Sequence, residues 1–468
     1  MTIDLTPFLG GHGPKYLSIA RALAEAVRHG VLSPGMRLPT HRELAETLGV
    51  SVQTVSRAYE QAEKSGLVQA RVGSGTWIRD AEGDSENEYL RAPAAVTDAA
   101  PIDLSIAHPV CPPSHHRRFR EALAELARTA HADVIGACRP IAGLQHQRER
   151  ANAWLKERLG VPGEADDRLL CNGAAHGLML AIATVVQHGD IVLTEMLTDH
   201  GLIALARTLG FQLHGVAIDD QGVIPEALEA AIVKYRPRAV CLTPTQLNPT
   251  GATMENARRD VVAEILLRHD VWLIEDDVHA LLEPAGLRSL TARLPQQSFH
   301  VTSLTKATVP GLRAGYLSVP RGQMHHTLPR LRATSWMATP LVFELADYWL
   351  ASGMVDTLAH EQRQLLAERQ QLAARKLAGH AIESRPSSLH IWLALPEPWR
   401  AEELQQQARQ EGVAITTAQP FLVEQSAMPR RVRISLGAEP DLARLASGLD
   451  VLSQLLGEAP PPMLEIAY

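Results

Sequence analysis

The feature that most limits how this chain folds is a break near residue 80. From Arg79 to Pro101 the sequence reads RDAEGDSENEYLRAPAAVTDAAP, with five acids between Asp80 and Glu88 followed by small residues and prolines. Nothing in that stretch repeats at helical or strand spacing, so it offers no apolar face to bury and reads as a solvated linker. It divides the 468 residues into a small N-terminal part and a large C-terminal part. Apolar content of 46% against 21% charged gives enough material for sizeable cores. We expect a domain over 1–80, a linker over 81–101 and a large domain over 102–460.

The net charge of −7 excludes a general attraction to nucleic acid, so any DNA contact requires a local basic face. Cys111, Cys138, Cys171 and Cys241 lack metal-binding or redox spacing, and we expect reduced, buried thiols in a cytoplasmic protein that binds no metal. The opening MTIDLTPFLG has no basic stretch followed by an apolar core, so no signal peptide is expected. The longest apolar run, LMLAIATVV, is too short to span a bilayer.

The N-terminal part has a definite grammar. YLSIARALAEAVRHG places Ile19, Leu23, Ala26 and Val27 on one helical stripe, with Gly30 as a C-cap. In LPTHRELAETLGV, Thr40 precedes a helix and Glu43 follows three residues later, the spacing of a capping box. A turn at Gly49 leads to a second helix capped by Ser51, and LVQARVGSGTWI gives two short strands around Gly73-Ser74-Gly75. Helix, tight turn, helix and hairpin form a geometry that sets one helix into a major groove.

The stretch GVLSPGMRLPTHRELAETLGVSVQTVSRAYEQAEKSGLVQARVGSGTW closely resembles the GntR-type winged helix-turn-helix. The resemblance implies that double-stranded DNA is read by Arg42 and by the recognition-helix start, Ser51, Gln53 and Thr54, with Arg57 behind them and the wing glycine at Gly73. The family usually has arginine after the capping hydroxyl, where this chain has Val52. A guanine contact is then lost or passed to Gln53, which can pair with adenine. Residues 1–80 hold nine Lys/Arg against seven Asp/Glu, so the phosphate footprint is expected to be a modest cluster of Arg42, Arg57, Lys64 and Arg71.

Beyond Ile102, IVLTE, AVCLT, VWLIEDD and FHVTSL alternate with amphipathic stretches, the pattern of a mostly parallel, doubly wound sheet. Ligands in such sheets bind beyond the carboxyl ends of the strands. Several such ends carry polar residues. VWLIEDD ends in Glu275-Asp276-Asp277, suited to a pyridinium nitrogen or, more plainly, to capping a helix. CLTPTQLNPTG turns at Asn248, and LLCNGAAHG enters a helix through Gly173, whose free N–H groups suit a phosphate. SLTKATVPGLRAGY sets Lys306 among hydroxyls with Arg313 seven residues on.

In that order the elements resemble the fold-type-I aminotransferase domain, over roughly residues 102–455. The resemblance implies an α/β fold with a smaller C-terminal α+β subdomain over about 340–460, and pyridoxal 5′-phosphate (PLP) as cofactor. Lys306 is then the Schiff-base lysine, Asp276 pairs with the pyridine nitrogen, and Asn248 meets the ring oxygen. Ser303, Thr305, Arg313 and the helix start at Gly173, Ala174 and Ala175 hold the phosphate. Arg433, in RRVRISL, clamps a ligand carboxylate; its plain alternative is a surface arginine on an edge strand. Two positions depart from the pattern. His279 stands where a tyrosine is usual, and Asp199 stands where an aromatic ring usually stacks on the cofactor, leaving His200 or His176 as substitutes for that contact.

A GntR-type reader joined to such a domain resembles the MocR regulators. The resemblance implies a PLP-binding transcription factor that senses PLP or an amino compound, acting as a head-to-tail homodimer. The alternative is a working aminotransferase with a secondary DNA-binding arm.

Overall fold

The computed structural model describes residues 5, 14–28, 32, 36–64, 67–71, 75–78, 101–129, 134, 136, 138–284, 286–424 and 429–458, without the side chains of Lys64, Gln69, Ala70 and Arg71. The chain divides into two compact units, Met1–Ala92 and Pro93–Tyr468. The expected linker, apart from Pro101, lies outside the described residues, as do Gly30 and the wing glycine Gly73.

In the first unit, helices α1 (Lys15–Arg28), α2 (His41–Leu48) and α3 (Val52–Lys64) precede a hairpin of β1 (Val68–Arg71) and β2 (Gly75–Ile78). Ile19, Leu23 and Ala26 of α1 meet Leu44 of α2 and Val55, Ala58 and Tyr59 of α3 in one buried cluster. Glu43 Oε2 accepts the Thr40 N–H at 2.8 Å while Thr40 Oγ1 accepts the Glu43 N–H at 3.3 Å, so the capping box forms as its spacing predicts. Gly49, at φ 61°, turns the chain between α2 and α3, and Ser51 Oγ accepts the Thr54 N–H at 3.1 Å. The N–H groups of Leu38 and Ile78 close the hairpin against residues 36–38.

The second unit is built on a seven-stranded sheet in the order β4 (Arg168–Asn172), β12 (Ala314–Ser318), β11 (Ser298–Ser303), β10 (Trp272–Asp276), β9 (Ala239–Leu242), β5 (Ile191–Glu195), β6 (Gln212–Val216). All neighbours are parallel except β12, which runs antiparallel to both β11 and β4. Most of these strands are buried along their length because helices cover both faces. Leu170 joins one core cluster while Leu169 and Cys171 join another, the alternation that a two-sided sheet requires. A small hairpin of β7 (Ile218–Asp219) and β8 (Gly222–Val223) adjoins it in sequence.

A four-stranded antiparallel sheet follows, in the order β13 (Ile382–Glu383), β14 (His390–Ala394), β17 (Arg431–Ser435), β16 (Thr416–Thr417). Ile391, Leu393, Val432 and Ile434 pack with Ala373 and Leu377 and with Leu445, Leu449 and Leu452 of the helix Leu442–Gly457. Arg433 therefore lies on an interior strand and is fully buried, which overturns the surface, edge-strand alternative. Far from that sheet in sequence, β3 (Ile102–Asp103) pairs in parallel with β15 (Val413–Ala414). The expectation of four buried thiols holds for Cys171 and Cys241 only: Cys111 is half-buried and Cys138 exposed. Among the described residues no helix is long and apolar enough to cross a membrane.

Candidate functional site

The sheet topology gathers the polar strand ends. Asp276 closes β10, Ser303 closes β11 and Asn172 closes β4. Because β12 runs the other way, the residue preceding it reaches the same rim: Ala314 registers with Asn172, and Gly315 with Ser303. Lys306 and Arg313 thus leave and re-enter one edge of the sheet.

That edge contains a seat for an anion. The helix Ala174–Val185 starts at Gly173, which has φ 85° and no side chain to cap it, leaving the first N–H groups, those of Ala174 and Ala175, without a cap from that residue. A Cβ on Gly173 would lie 2.6 Å from Arg313 Nη2, and one on Gly315 would lie 2.5 Å from the Gly173 carbonyl carbon. Two glycines thereby bring the Arg313 guanidinium against the helix start. Ser303 is buried, and the buried Thr305 Oγ1 has no hydrogen-bond partner.

Strand alternation decides among the three acids. Glu275 accepts the N–H groups of Leu290 and Thr291 at 2.8 Å each, and Asp277 accepts from Thr245 Oγ1 at 2.8 Å and meets His300 Nε2 at 3.2 Å. Both carboxylates are spent on the scaffold. Asp276 between them faces the opposite side; it is buried, and its Oδ1 has no partner. It caps no α-helix, since only a 3₁₀ turn, Ala280–Leu282, follows it. Burial, reinforced by the nearby Asp199 carboxylate, pushes its carboxyl up to about 8.

Lys306 Nζ donates to the Ala107 carbonyl at 2.8 Å. Burial lowers its ammonium pKa; Asp199 and Asp276 oppose that shift while Arg433 and Arg313 add to it. Asn248 bridges two charges: its Nδ2 donates to Asp199 Oδ2 at 2.8 Å, and its Oδ1 accepts from Arg433 Nη1 at 2.7 Å. Arg433 also donates to the Ser105 carbonyl and lies 4.8 Å from the Phe421 ring centroid. His279 is buried close to Lys306, and burial followed by that ammonium pushes its imidazole down to about 4, so it is neutral at physiological pH.

Neither histidine suggested for ring stacking is free for it on the pattern expected. His176 is tied to the Asn172 N–H at 3.3 Å and to Thr334 Oγ1 at 2.9 Å, while His200 packs edge-on against Phe421. Asp199 instead caps the helix His200–Leu209 through the Gly201 N–H and holds Asn248. Sequence reasoning missed the backbone of Ser105 and Ala107, because a carbonyl acceptor has no residue signature. It also missed His390, a buried residue of β14 that lies near Arg433, His279 and Lys306; its signal was a histidine opening an apolar strand.

In the first unit Arg42, Gln53 and Arg57 are exposed. Ser51 Oγ and Thr54 Oγ1 lie 2.8 Å apart, so these hydroxyls are engaged with each other. The Arg57 guanidinium sits 5.8 Å from the Tyr16 ring centroid.

Comparison with known proteins accounts for both units. Residues 15–78 match the family of bacterial regulatory proteins, gntR family, and residues 85–452 match aminotransferase class I and II. The HTH-type transcriptional regulator YdeF of Bacillus subtilis (strain 168) is 30% identical, with 95% of each chain covered. The vitamin B6 salvage pathway transcriptional repressor PtsJ of Salmonella typhimurium is 28% identical over 80% of this chain and 85% of its own. The crystal structure of an archaeal alanine:glyoxylate aminotransferase superposes with a TM-score of 0.73 at 19% identity, covering 85% of this chain and 99% of that one. A reader unit of one family continuous with the fold of another, matched along nearly its whole length by a regulator of the same build, places the chain in the MocR type of GntR-family transcriptional regulators.

Proposed function

We propose that the chain regulates transcription by binding DNA through its first unit and PLP through Lys306 in its second, sensing PLP itself or an amino compound. The observation that carries this is Asp276: a buried carboxyl with an unpartnered oxygen, on the same sheet edge as the half-buried Lys306. A buried acid left in that condition is costly, and a cationic ring N–H is the kind of group that relieves it. The anion seat of Arg313, Ala174, Ala175, Ser303 and Thr305 suits a phosphate on the same molecule. The residues present therefore fit PLP, and the name of PtsJ, a vitamin B6 salvage repressor, agrees with a ligand of that class.

When bound, PLP supplies an electrophilic aldehyde and an electron-accepting ring. The chain's own residues do the rest. Burial with Arg433 and Arg313 nearby favours the neutral, nucleophilic amine of Lys306. With PLP bound, Asp276 would hold the ring nitrogen's proton, and Asn248 with the neutral His279 would serve the ring oxygen. Arg433 takes a carboxylate, provided it gives up Asn248 or Ser105.

The same two side chains give a route for regulation. Lys306 and Arg433 each hold a carbonyl of residues 101–110, the segment between the expected linker and the sheet. A ligand that engages either side chain competes with that segment. A tenfold change in DNA affinity requires about 1.4 kcal/mol of coupling between the two sites.

A homodimer belongs to the same reading. The helices Pro113–Thr129 and Pro340–Ala351 pack on each other and expose Leu123, Leu341 and Tyr348, apolar area suited to a second copy. The decisive test is borohydride reduction with PLP followed by peptide mass mapping, together with DNA binding with and without PLP. We expect one label, on Lys306, and DNA affinity that shifts with PLP in the native chain but not in Lys306→Ala. An unlabelled Lys306 overturns the sensing half. Sustained transamination of an ordinary amino donor with no effect of PLP on DNA binding favours the aminotransferase alternative instead.

A further inference from the structure

The recognition-helix start carries a side chain that the functional reading above leaves unused. Val52, the first residue of α3, is 46% exposed, and among the described residues of the first unit no other large apolar side chain is exposed. The inward side of α3 is already supplied by Val55, Ala58, Tyr59 and Ala62, all buried in the cluster with α1 and α2. Val52 is therefore not needed to close that core.

Its neighbours narrow what it can do. The Ser51 and Thr54 hydroxyls lie 2.8 Å apart and Ser51 Oγ also accepts the Thr54 N–H as the helix cap, so part of their hydrogen-bonding capacity is already used within the helix start. Gln53 is exposed, with both amide atoms available. Helical Cα–Cβ bonds tilt toward the N-terminus, so Val52 and Gln53, side by side at the first turn, project past the helix start. That end of a recognition helix is the part that reaches base edges. An isopropyl group there has no hydrogen bond to offer a guanine or a cytosine. Within the major groove the one apolar group on a base edge is the thymine C5 methyl, and a glutamine amide matches N6 and N7 of adenine.

We propose that Val52 reads a thymine methyl and Gln53 an adenine in neighbouring base pairs, so that each half-site contains a specified step of two A·T pairs. This rests on the DNA-reading proposal above and adds its base preference. Removing one buried methyl from such a contact weakens binding by about fourfold. Loss of the paired glutamine amide weakens it by about tenfold or more.

The test uses the full-length protein. Duplexes are selected from a randomised pool, and each thymine of the enriched sequence is then replaced in turn by deoxyuridine, which lacks only the C5 methyl. We expect one position per half-site where deoxyuridine weakens the native protein about fourfold. The same swap should weaken Val52→Ala less than the native protein, because a single methyl reaches the thymine less closely, and that variant should already bind the thymine duplex more weakly. In a second selection, Val52→Arg should move the preferred pair at that position from A·T to G·C. Enrichment of a defined sequence with no deoxyuridine-sensitive position, or with equal sensitivity in Val52→Ala, overturns this inference and leaves DNA reading standing. A pool from which nothing is enriched overturns the DNA-reading proposal itself, and this one with it.

Discussion

Asp276 shows how one carboxyl can be a cost in one state and an asset in another. Its ligand-free pKa of about 8 stands above the ordinary aspartate value, so between about pH 4 and pH 8 the folded chain binds a proton that the unfolded chain releases. The stability this group contributes is present at low pH and is lost as pH rises through about 8. Asp276→Asn removes the titration while keeping the shape. We expect the ligand-free variant to be more stable than the native chain by about 1–3 kcal/mol at pH 8, and nearly equal to it at pH 4. Urea unfolding of the large unit at the two pH values measures this. The same variant should bind PLP at least tenfold more weakly, because a neutral amide cannot pair with a cationic ring nitrogen. The choice of Asp276 among three adjacent acids was legible in the sequence only through resemblance, since capping was an equal use for any of them. Period-two alternation gives the physical reason: Glu275 and Asp277 face scaffold donors that lie 15 or more residues away in sequence, which no local pattern reveals.

Among the elements, the helix start at Gly173 shows most directly how backbone shape positions chemistry. Its positive φ strains any larger residue, and a Cβ built there would lie 2.6 Å from the Arg313 guanidinium and push that side chain aside. Gly173→Ala should cost about 1–3 kcal/mol of stability and reduce PLP affinity by roughly tenfold through displacement of Arg313. Equilibrium binding followed by ligand fluorescence, beside a melting curve, separates the two effects. Long elements were readable from sequence alone. Doubly covered strands such as VWLIED stand out as apolar runs, and the capping box at Thr40 and Glu43 announces α2. The pairing of β3 with β15 was not readable, because two-residue strands carry no period and these are separated by more than three hundred residues. Arg433 was ambiguous for a related reason. Whether RVRIS lies inside or at the edge of its sheet depends on β14 and β16, which come from different parts of the chain.

For the whole molecule, binding linkage makes the proposed coupling reciprocal. If PLP changes DNA affinity by some factor, DNA changes PLP affinity by the same factor, and a titration in each direction checks it. The segment at Ser105 and Ala107 also bears on how the protein can be dissected. A fragment beginning at residue 111 would lack the carbonyls that Lys306 and Arg433 hold and the strand that pairs with Val413–Ala414. The buried Arg433 and the half-buried Lys306 each lose a carbonyl acceptor, which together with the lost strand pairing should destabilise it by roughly 1–3 kcal/mol, whereas a fragment beginning at Pro93 should fold; circular dichroism melts of the two distinguish them. Anyone transplanting this sensing unit onto a different reader should therefore splice upstream of Ile102, because the polypeptide entering the receptor is itself part of the receptor's wall.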